Sequence, residues 1–403
     1  MKRTLALLFL SAAASPLFAD TWLILPFFNL SSDTNLHWIG ESLSESAHEA
    51  LGAEGIIVLG RQQREEAYRR LSIRSNTQLT TATVMRIGEL LDADQIVYGT
   101  FAFTPPEDTA SVKTLGTLKI VAHILSLRRA RQGPEYTEIG ALEDLARLQN
   151  HLAWQTLQFA MPKASPSEEE FRQRNPVIRV DAMENYIRGL LSTTPEQRMR
   201  FFTSAVRLDP RMSQASFQLA RLNFEKKAWR MAADSYARVT PGGVHSREAQ
   251  FFLGISRYRL GEFEAAAAAF RSVAESVPLN EVWNNLGAAQ SRRNDPEALA
   301  SFQKALDGDP ADPDYQFNVG YALLRRGEND KAAERFRAVL ERRPDDAEAI
   351  TMLGRSLRRV AQRTAAAPSE GVERLKEAWE ESAWLQLKSV LEPKRPAEKT
   401  SQP

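Results

Sequence analysis

The side chains best suited to chemistry are five histidines: His37, His48, His123, His151 and His245. None forms an H-x3-H or H-E-x2-H pair, so the spacing that sets two imidazoles on one helix face around a metal is missing. The chain has no cysteine. That removes disulfides, thiol nucleophiles, iron–sulfur clusters and cysteine zinc sites. No G-x4-G-K-[ST] loop, no G-x-G-x2-G after a strand and no G-x-S-x-G elbow occurs. Val239-Thr240-Pro241-Gly242-Gly243 is glycine-rich, but it lacks the lysine and the preceding strand of a phosphate loop and reads as a connection. Asn29-Leu30-Ser31 is a formal glycosylation sequon that reads better as a turn or cap at a strand exit. Glu41, Glu45 and Glu49 lie four apart on one helix face. Such carboxylates could serve acid–base work, but nothing converges on them, and they read as a solvated face. The sequence therefore assigns no catalytic, cofactor-binding or metal-binding residue, and a non-enzymatic protein is expected. A hydrolase built on carboxylates around Glu41 would need a deep pocket there and raised carboxyl pKa values.

The elements that carry these residues come next. The 403 residues suffice for two or three domains. Lys and Arg number 52 and Asp and Glu 51, a balance that offers no electrostatic case for nucleic acid or a membrane surface. Lys2 and Arg3 precede an apolar run, Leu5 to Leu10, then small residues and Leu17-Phe18-Ala19 before Asp20. This is the order of a secretory signal peptide over residues 1–19. Pro16 interrupts the run, which is too short to span a bilayer, and no later stretch suffices, so no integral membrane segment is expected after signal removal.

The second half repeats. Ala232-x3-Tyr236, Ala266-x3-Phe270, Ala298-x3-Phe302 and Ala332-x3-Phe336 recur at intervals of 32 to 34 residues. Upstream stand Gly189, Ala220, Gly254, Gly287, Gly320 and Gly354, and Pro210, Pro278, Pro310 and Pro344 close units. Each unit reads as two helices: the small residue and the alanine permit close approach, the aromatic fills the gap, and the proline ends the second helix. Five units start near residues 179, 213, 247, 280 and 313, and an incomplete sixth near Ala347. A capping helix is expected over 371–391, with Trp379, Trp384 and Leu387 on its apolar side, then a disordered tail over 392–403.

With Trp283-Asn284-Asn285-Leu286-Gly287 as its opening, residues 179–391 resemble the tetratricopeptide repeat (TPR) family. The resemblance implies an all-α superhelical solenoid with a concave peptide-binding groove, lined by positions 2, 5, 9, 12 and 13 of each first helix. Carried onto this sequence, those positions are Phe217, Arg221 and Phe224 in the second unit; Phe251, Ile255, Tyr258 and Arg259 in the third; and Asn284 and Arg292 in the fourth. The fifth adds Phe317, Tyr321 and Arg325, and the sixth Arg355 and Arg358. Aromatics with arginines suit a peptide bearing apolar anchors and carboxylates.

The first half alternates strand and helix signals. Strands are expected over 21–28, 55–59, 95–103, 117–127 and 136–139, and helices over 38–51, 62–71, 81–91 and 142–159. Pro26 ends or bulges the first strand. The result is a two-layer α/β sandwich over 20–160, joined by a semi-extended linker over 161–178. Four ordered motifs carry a second resemblance: Leu25-Pro26-Phe27-Phe28-Asn29-Leu30-Ser31 with Trp38-Ile39-Gly40-Glu41-Ser42-Leu43; Ile56-Ile57-Val58-Leu59-Gly60-Arg61; Ile87-Gly88 through Leu91, Ala93-Asp94, Val97 and Gly99; and Leu142 through Leu145, Leu148 and Gln149. This region resembles TolB amino-terminal-like domains, whose relatives include flagellar outer-membrane accessory and curli-type secretion proteins. The two resemblances imply an α+β two-domain, exported scaffold of the bacterial cell envelope, periplasmic or secreted. Its partners would be proteins or peptides and not nucleic acid, and it would need no cofactor. An accessory role in an outer-membrane secretion or assembly machine is the alternative.

Overall fold

A computed structural model describes residues 20–106, 116–128, 131–359 and 372–380. The expected signal peptide, the tail over 392–403 and residues 381–391 of the expected capping helix, with Trp384 and Leu387, lie outside the described residues.

The chain begins with strand β1 (Thr21–Ile24), strand β2 (Phe28–Asn29), helix α1 (His37–Ala53), strand β3 (Ile57–Val58), and helices α2 (Arg61–Arg70) and α3 (Thr81–Leu90). Strands β4 (Gln95–Thr104), β5 (Thr117–Ser126) and β6 (Arg131–Ala141) and helix α4 (Leu145–Ala160) follow. The mixed sheet runs β3-β1-β4-β5-β6. β1 is parallel to both neighbours, and β4, β5 and β6 form an antiparallel meander. β1 is apolar throughout because both of its faces are covered. Trp22 and Ile24 face Ile39 and Leu43 of α1 and Leu152 of α4, while Leu23 and Leu25 face Ala67 of α2 and Val84 of α3. The two-layer expectation is corrected on this point: helices cover both faces, and the domain has three layers. α1 lies so close to the exit of β1 that a Cβ on Gly40 would stand 2.0 Å from the Phe27 carbonyl oxygen.

The expected semi-extended linker is also corrected. Helix α5 (Glu168–Arg174) sits within it. Ser167 and Glu170 cap its start reciprocally, and Phe171 is fully buried in the core that α1 and α4 share with α6 and α7. The α/β domain and the first helix pair thus have one continuous apolar interior.

The helix pairs are α6 (Val180–Leu191) with α7 (Pro195–Leu208), α8 (Ser213–Glu225) with α9 (Trp229–Tyr236), and α10 (Ser246–Arg259) with α11 (Phe263–Ala274). Next come α12 (Asn280–Arg292) with α13 (Ala298–Gly308), α14 (Pro313–Arg325) with α15 (Asn329–Arg342), and a single α16 (Ala347–Leu357). Gly261 and Gly327 make the turns inside two units at φ of 78° and 77°, a region costly for other residues. Within a unit, the aromatic ring of the second helix lies directly on the glycine of the first. A Cβ added at Gly254 would meet the Phe270 ring at 2.6 Å, and one at Gly287 the Phe302 ring at 2.7 Å.

Gly254→Ala should lower stability by about 1–2 kcal/mol in denaturant titrations, since overpacking outweighs the gain in helix propensity. In a Phe270→Leu background the same substitution should cost less, because the smaller side chain leaves room; equal costs in both backgrounds would discard the contact as the cause.

Candidate functional site

Where a capping helix is expected, residues 372–380 form no helix. They lie across the first helices of the third to sixth units. Two asparagines hold the backbone. Asn318 on α14 donates to the Arg374 carbonyl at 2.8 Å and accepts from the Arg374 N–H at 2.8 Å. Asn285 on α12 does the same for Lys376, at 2.7 and 2.8 Å. Asn284 adds a second donor to the Arg374 carbonyl and accepts from Asn318, each at 2.7 Å. All three asparagines are completely buried, where an unpaired amide would be costly. The two clamped residues are two apart, the period of an extended strand. The strong helix formers in this segment yield to these contacts.

The side chains find separate subsites. Arg374 lies 3.7 Å over the Phe317 ring and makes two 2.7 Å contacts with Asp346, with Glu348 at 3.1 Å. The Lys376 ammonium is 2.7 Å from both Asp312 and Asp314. Glu373, buried, accepts from Ser291 at 2.7 Å and from the Tyr258 hydroxyl at 3.4 Å, with Arg292 at 3.9 Å. Arg259 binds Glu377 at 2.9 Å, and the Trp379 ring lies 5.1 Å from that of Phe251. Burial raises the Asp314 carboxyl, but hydrogen bonds from Lys376 and Arg343 outweigh it and hold the carboxyl below its ordinary range. Hydrogen bonds from Arg374 hold Asp346 low against its burial. A lowered carboxyl favours the bound state above its unfolded pKa and loses that advantage as pH falls through the folded one.

Six of the residues carried over from the repeat pattern touch this segment: Phe251, Tyr258, Arg259, Asn284, Arg292 and Phe317. The others lie elsewhere. Phe217 is fully buried and stacks at 4.2 Å on the His245 ring, and Ile255 is fully buried. Arg221 is half-buried, and Phe224 packs between Trp229 and Phe252. Tyr321 is buried beside Arg325, whose guanidinium donates to the Ser291 hydroxyl and so supports the Glu373 subsite from behind. Arg355 is exposed, and Arg358 turns back onto Gly354 of its own helix. The carried-over set omitted Asn285 and Asn318, which follow fifth positions by one residue, and Ser291. It also omitted the acids Asp312, Asp314, Asp346 and Glu348 that receive the basic side chains. Asp312 and Asp346 are the N-caps of α14 and α16, and this aspartate ahead of each first helix was the available signal.

The glutamate face of α1 is not solvated, which corrects the expectation for Glu41, Glu45 and Glu49. Glu41 is buried and ion-paired with Arg64, with Arg61 at 3.4 Å. Burial pushes the Glu45 carboxyl up to about 7, helped by the charge of Glu41. Glu49 reaches across to the repeats, 3.5 Å from His245, whose other nitrogen is 3.4 Å from Glu248. Burial opposes protonation of His245, yet its hydrogen bonds to Glu248 and Glu49 raise it to about 10. A cleft of about 140 Å3 beside α1 is lined by Glu41, Arg61, Arg64 and Tyr68 but not by Glu45. The carboxyl that holds a proton near neutrality and the cavity therefore do not coincide. Among the described residues no acidic or histidine group is arranged to hold a metal ion, and no helix is long and apolar enough to cross a membrane.

Comparison with known proteins identifies the repeats. Family models described as tetratricopeptide repeat match residues 251–314 and 296–355. Among solved structures, the chain is similar to YrrB, described as a TPR protein with an unusual peptide-binding site, at 21% identity and a TM-score of 0.40, over 42% of this chain and 91% of that one. It is similar to MamA from Desulfovibrio magneticus, at 21% identity and a TM-score of 0.35, over 40% and 92% of the two chains. A thermophilic TPR protein of Thermus thermophilus matches at 18% identity and a TM-score of 0.32, over 40% and 90%. No curated protein matches the chain.

The His245 geometry sets a pH dependence. Its folded pKa lies above the unfolded 6.5, so its stabilisation is complete below that value and is lost as pH rises towards about 10. His245→Gln should destabilise the protein by about 2–4 kcal/mol at pH 7 and flatten the fall in melting temperature between pH 7 and 10. An unchanged alkaline limb would discard the contact. Glu45→Gln should do the reverse, raising stability at pH 8, because a carboxyl elevated from 4.5 to about 7 destabilises the fold as pH climbs through that window.

Proposed function

We propose that this chain is a non-enzymatic adaptor of the bacterial cell envelope. Its repeats hold an extended segment of one partner protein and its α/β domain docks another. The chain carries tetratricopeptide repeats, and proteins built from them mediate contacts between proteins. One observation carries the peptide reading: Asn285 and Asn318 grip the N–H and C=O of residues two apart in an extended backbone. This mode of recognition is independent of sequence and is directed at a strand-like segment. Export is supported by the signal-like order of residues 1–19. Asp20, first residue of the expected mature chain, already accepts a hydrogen bond from Gln95 at 3.1 Å. The envelope role rests on the TolB amino-terminal-like motifs of residues 20–160.

Two measurements test this. Intact mass of the protein produced in a Gram-negative host should correspond to a chain beginning at Asp20 and recovered from the periplasm; an uncleaved cytoplasmic chain would discard export. A displayed peptide library, panned on full-length protein carrying Arg374→Glu and Lys376→Glu to free the groove, should enrich extended peptides. Their affinity should fall at least tenfold when Asn285 and Asn318 are replaced by Ala. No enrichment, or enrichment indifferent to the asparagines, would discard groove-mediated binding.

A further inference from the structure

The face lined by α10, α12, α14 and α16 is filled by residues of the same chain, and the contacts are of two kinds. The asparagine clamps would accept any backbone. The side-chain subsites would not. Arg374 is sandwiched between the Phe317 ring and Asp346, Lys376 stands between Asp312 and Asp314, Glu373 is buried against Ser291, and Trp379 lies on Phe251. Reversing either basic charge would bury like charges together, so these subsites select as well as attract.

The tether makes occupancy favourable even if each contact is weak. Residues 358–371 separate the segment from α16, a span of at most ~50 Å when fully extended. A segment so tethered experiences an effective concentration on the order of millimolar. If the resident segment itself binds the empty face with an intrinsic Kd of roughly 10–100 μM, any free competitor is weakened about 10- to 100-fold in the intact chain.

We propose, building on the peptide-binding reading above, that residues 372–380 are a resident competitor that keeps the groove closed in the resting chain. The partner that opens it is an extended protein segment of the order Glu-Arg-x-Lys-x2-Trp. Opening replaces one set of contacts with an equivalent set, so the buried asparagines are never left unpaired. The resident segment thereby sets a threshold: a partner must match the acidic rim and the aromatic slot, or be present at high local concentration.

The experiment uses the full-length protein and a fluorescein-labelled synthetic peptide with the sequence of residues 371–381, followed by fluorescence anisotropy. Protein carrying Arg374→Glu and Lys376→Glu should bind the peptide at least tenfold more tightly than the wild type. Trp379→Ala alone should give an intermediate gain. Adding Asn285→Ala and Asn318→Ala to the double variant should abolish binding, and a peptide with both basic residues changed to Glu should not bind. Circular dichroism melts establish that each variant is folded. Equal affinity for wild type and opened variant would overturn the competitor. Failure of the opened variant to bind this peptide, while it retains library-selected peptides of another pattern, would overturn the inference and spare the peptide-binding reading. Failure to bind any peptide would sink both. A wild-type dimer by light scattering that the double variant loses would show the segment exchanged between copies and overturn occupancy within one chain.

Discussion

The contact of an aromatic ring with a bare backbone is the constraint on which the repeat half depends. Phe202 lies on Gly189, Phe270 on Gly254, Phe302 on Gly287 and Phe336 on Gly320, each so close that a Cβ would intrude on the ring. This contact fixes how near the second helix of a unit stands to the first. Because it recurs at an almost constant interval, it also sets the first helices side by side, α10 by α12, α12 by α14 and α14 by α16. A spacing of 34 residues in sequence then becomes adjacency in space. Asn284 bonds to Asn318, and Ser291 to Arg325. Asp312 and Asp346 likewise fall at equivalent places, each capping its own helix and each holding a cation of the bound segment. The groove is a consequence of the period, and the period of the small residue and the ring.

The bound segment follows a different rule. It runs back across the units, with Arg374 at α14 and α16 and Trp379 at α10. Its residues advance by about 3.3 Å each, far less than the distance from one helix pair to the next, so each unit meets only two or three of them. Each unit therefore contributes one backbone clamp or one side-chain subsite rather than a full pocket. Specificity arises from the sum, which is why the aromatic rings that line the face are insufficient to define it without the acidic caps.

The parts legible in the sequence are those whose determinants are local or periodic. The glycine-to-ring pattern shows the helix pairs, Pro26 shows the break between β1 and β2, and the apolar run from Thr21 shows a strand, though not the second helical layer over it. The parts that were not legible depend on contacts between distant stretches. Residues 372–380 are rich in Glu, Arg, Lys, Leu and Ala, and nothing within them opposes a helix. Their extended form is imposed by amides some 56 to 91 positions away. Glu45 and Glu49 look solvated on a helical wheel. The cover over them comes from the repeats, at His245 and Tyr186, whose proximity no spacing rule conveys. Phe217 and Ile255 occupy groove-facing positions of the repeat pattern, yet the second unit turns Phe217 onto His245 and the third seals Ile255 within its own core. A family pattern gives the face on average, and local packing decides individual residues.

The distribution of apolar contacts shows how the two halves share stability. Phe171, Tyr186, Ile187 and Phe202 belong to the same buried cluster as β1, α1 and α4, so the first helix pair is part of the α/β interior. The units that grip the segment form a separate cluster around Phe251, Phe270, Phe302, Phe317 and Phe336, and Val372, Leu375 and Trp379 pack onto that cluster alone. Between them lies a smaller cluster of the second unit, around Phe217 and Tyr236. In an array where each unit contacts chiefly its neighbours, stabilisation is passed on only through shared interfaces. The groove cluster therefore connects to the α/β domain by way of the second unit and the stretch after it, where His245 and Val244 meet Glu49 and Gly52 of α1. The contact there is mixed: His245 is half-buried and ion-paired with Glu49, and Val244 beside it packs against the bare backbone of Gly52.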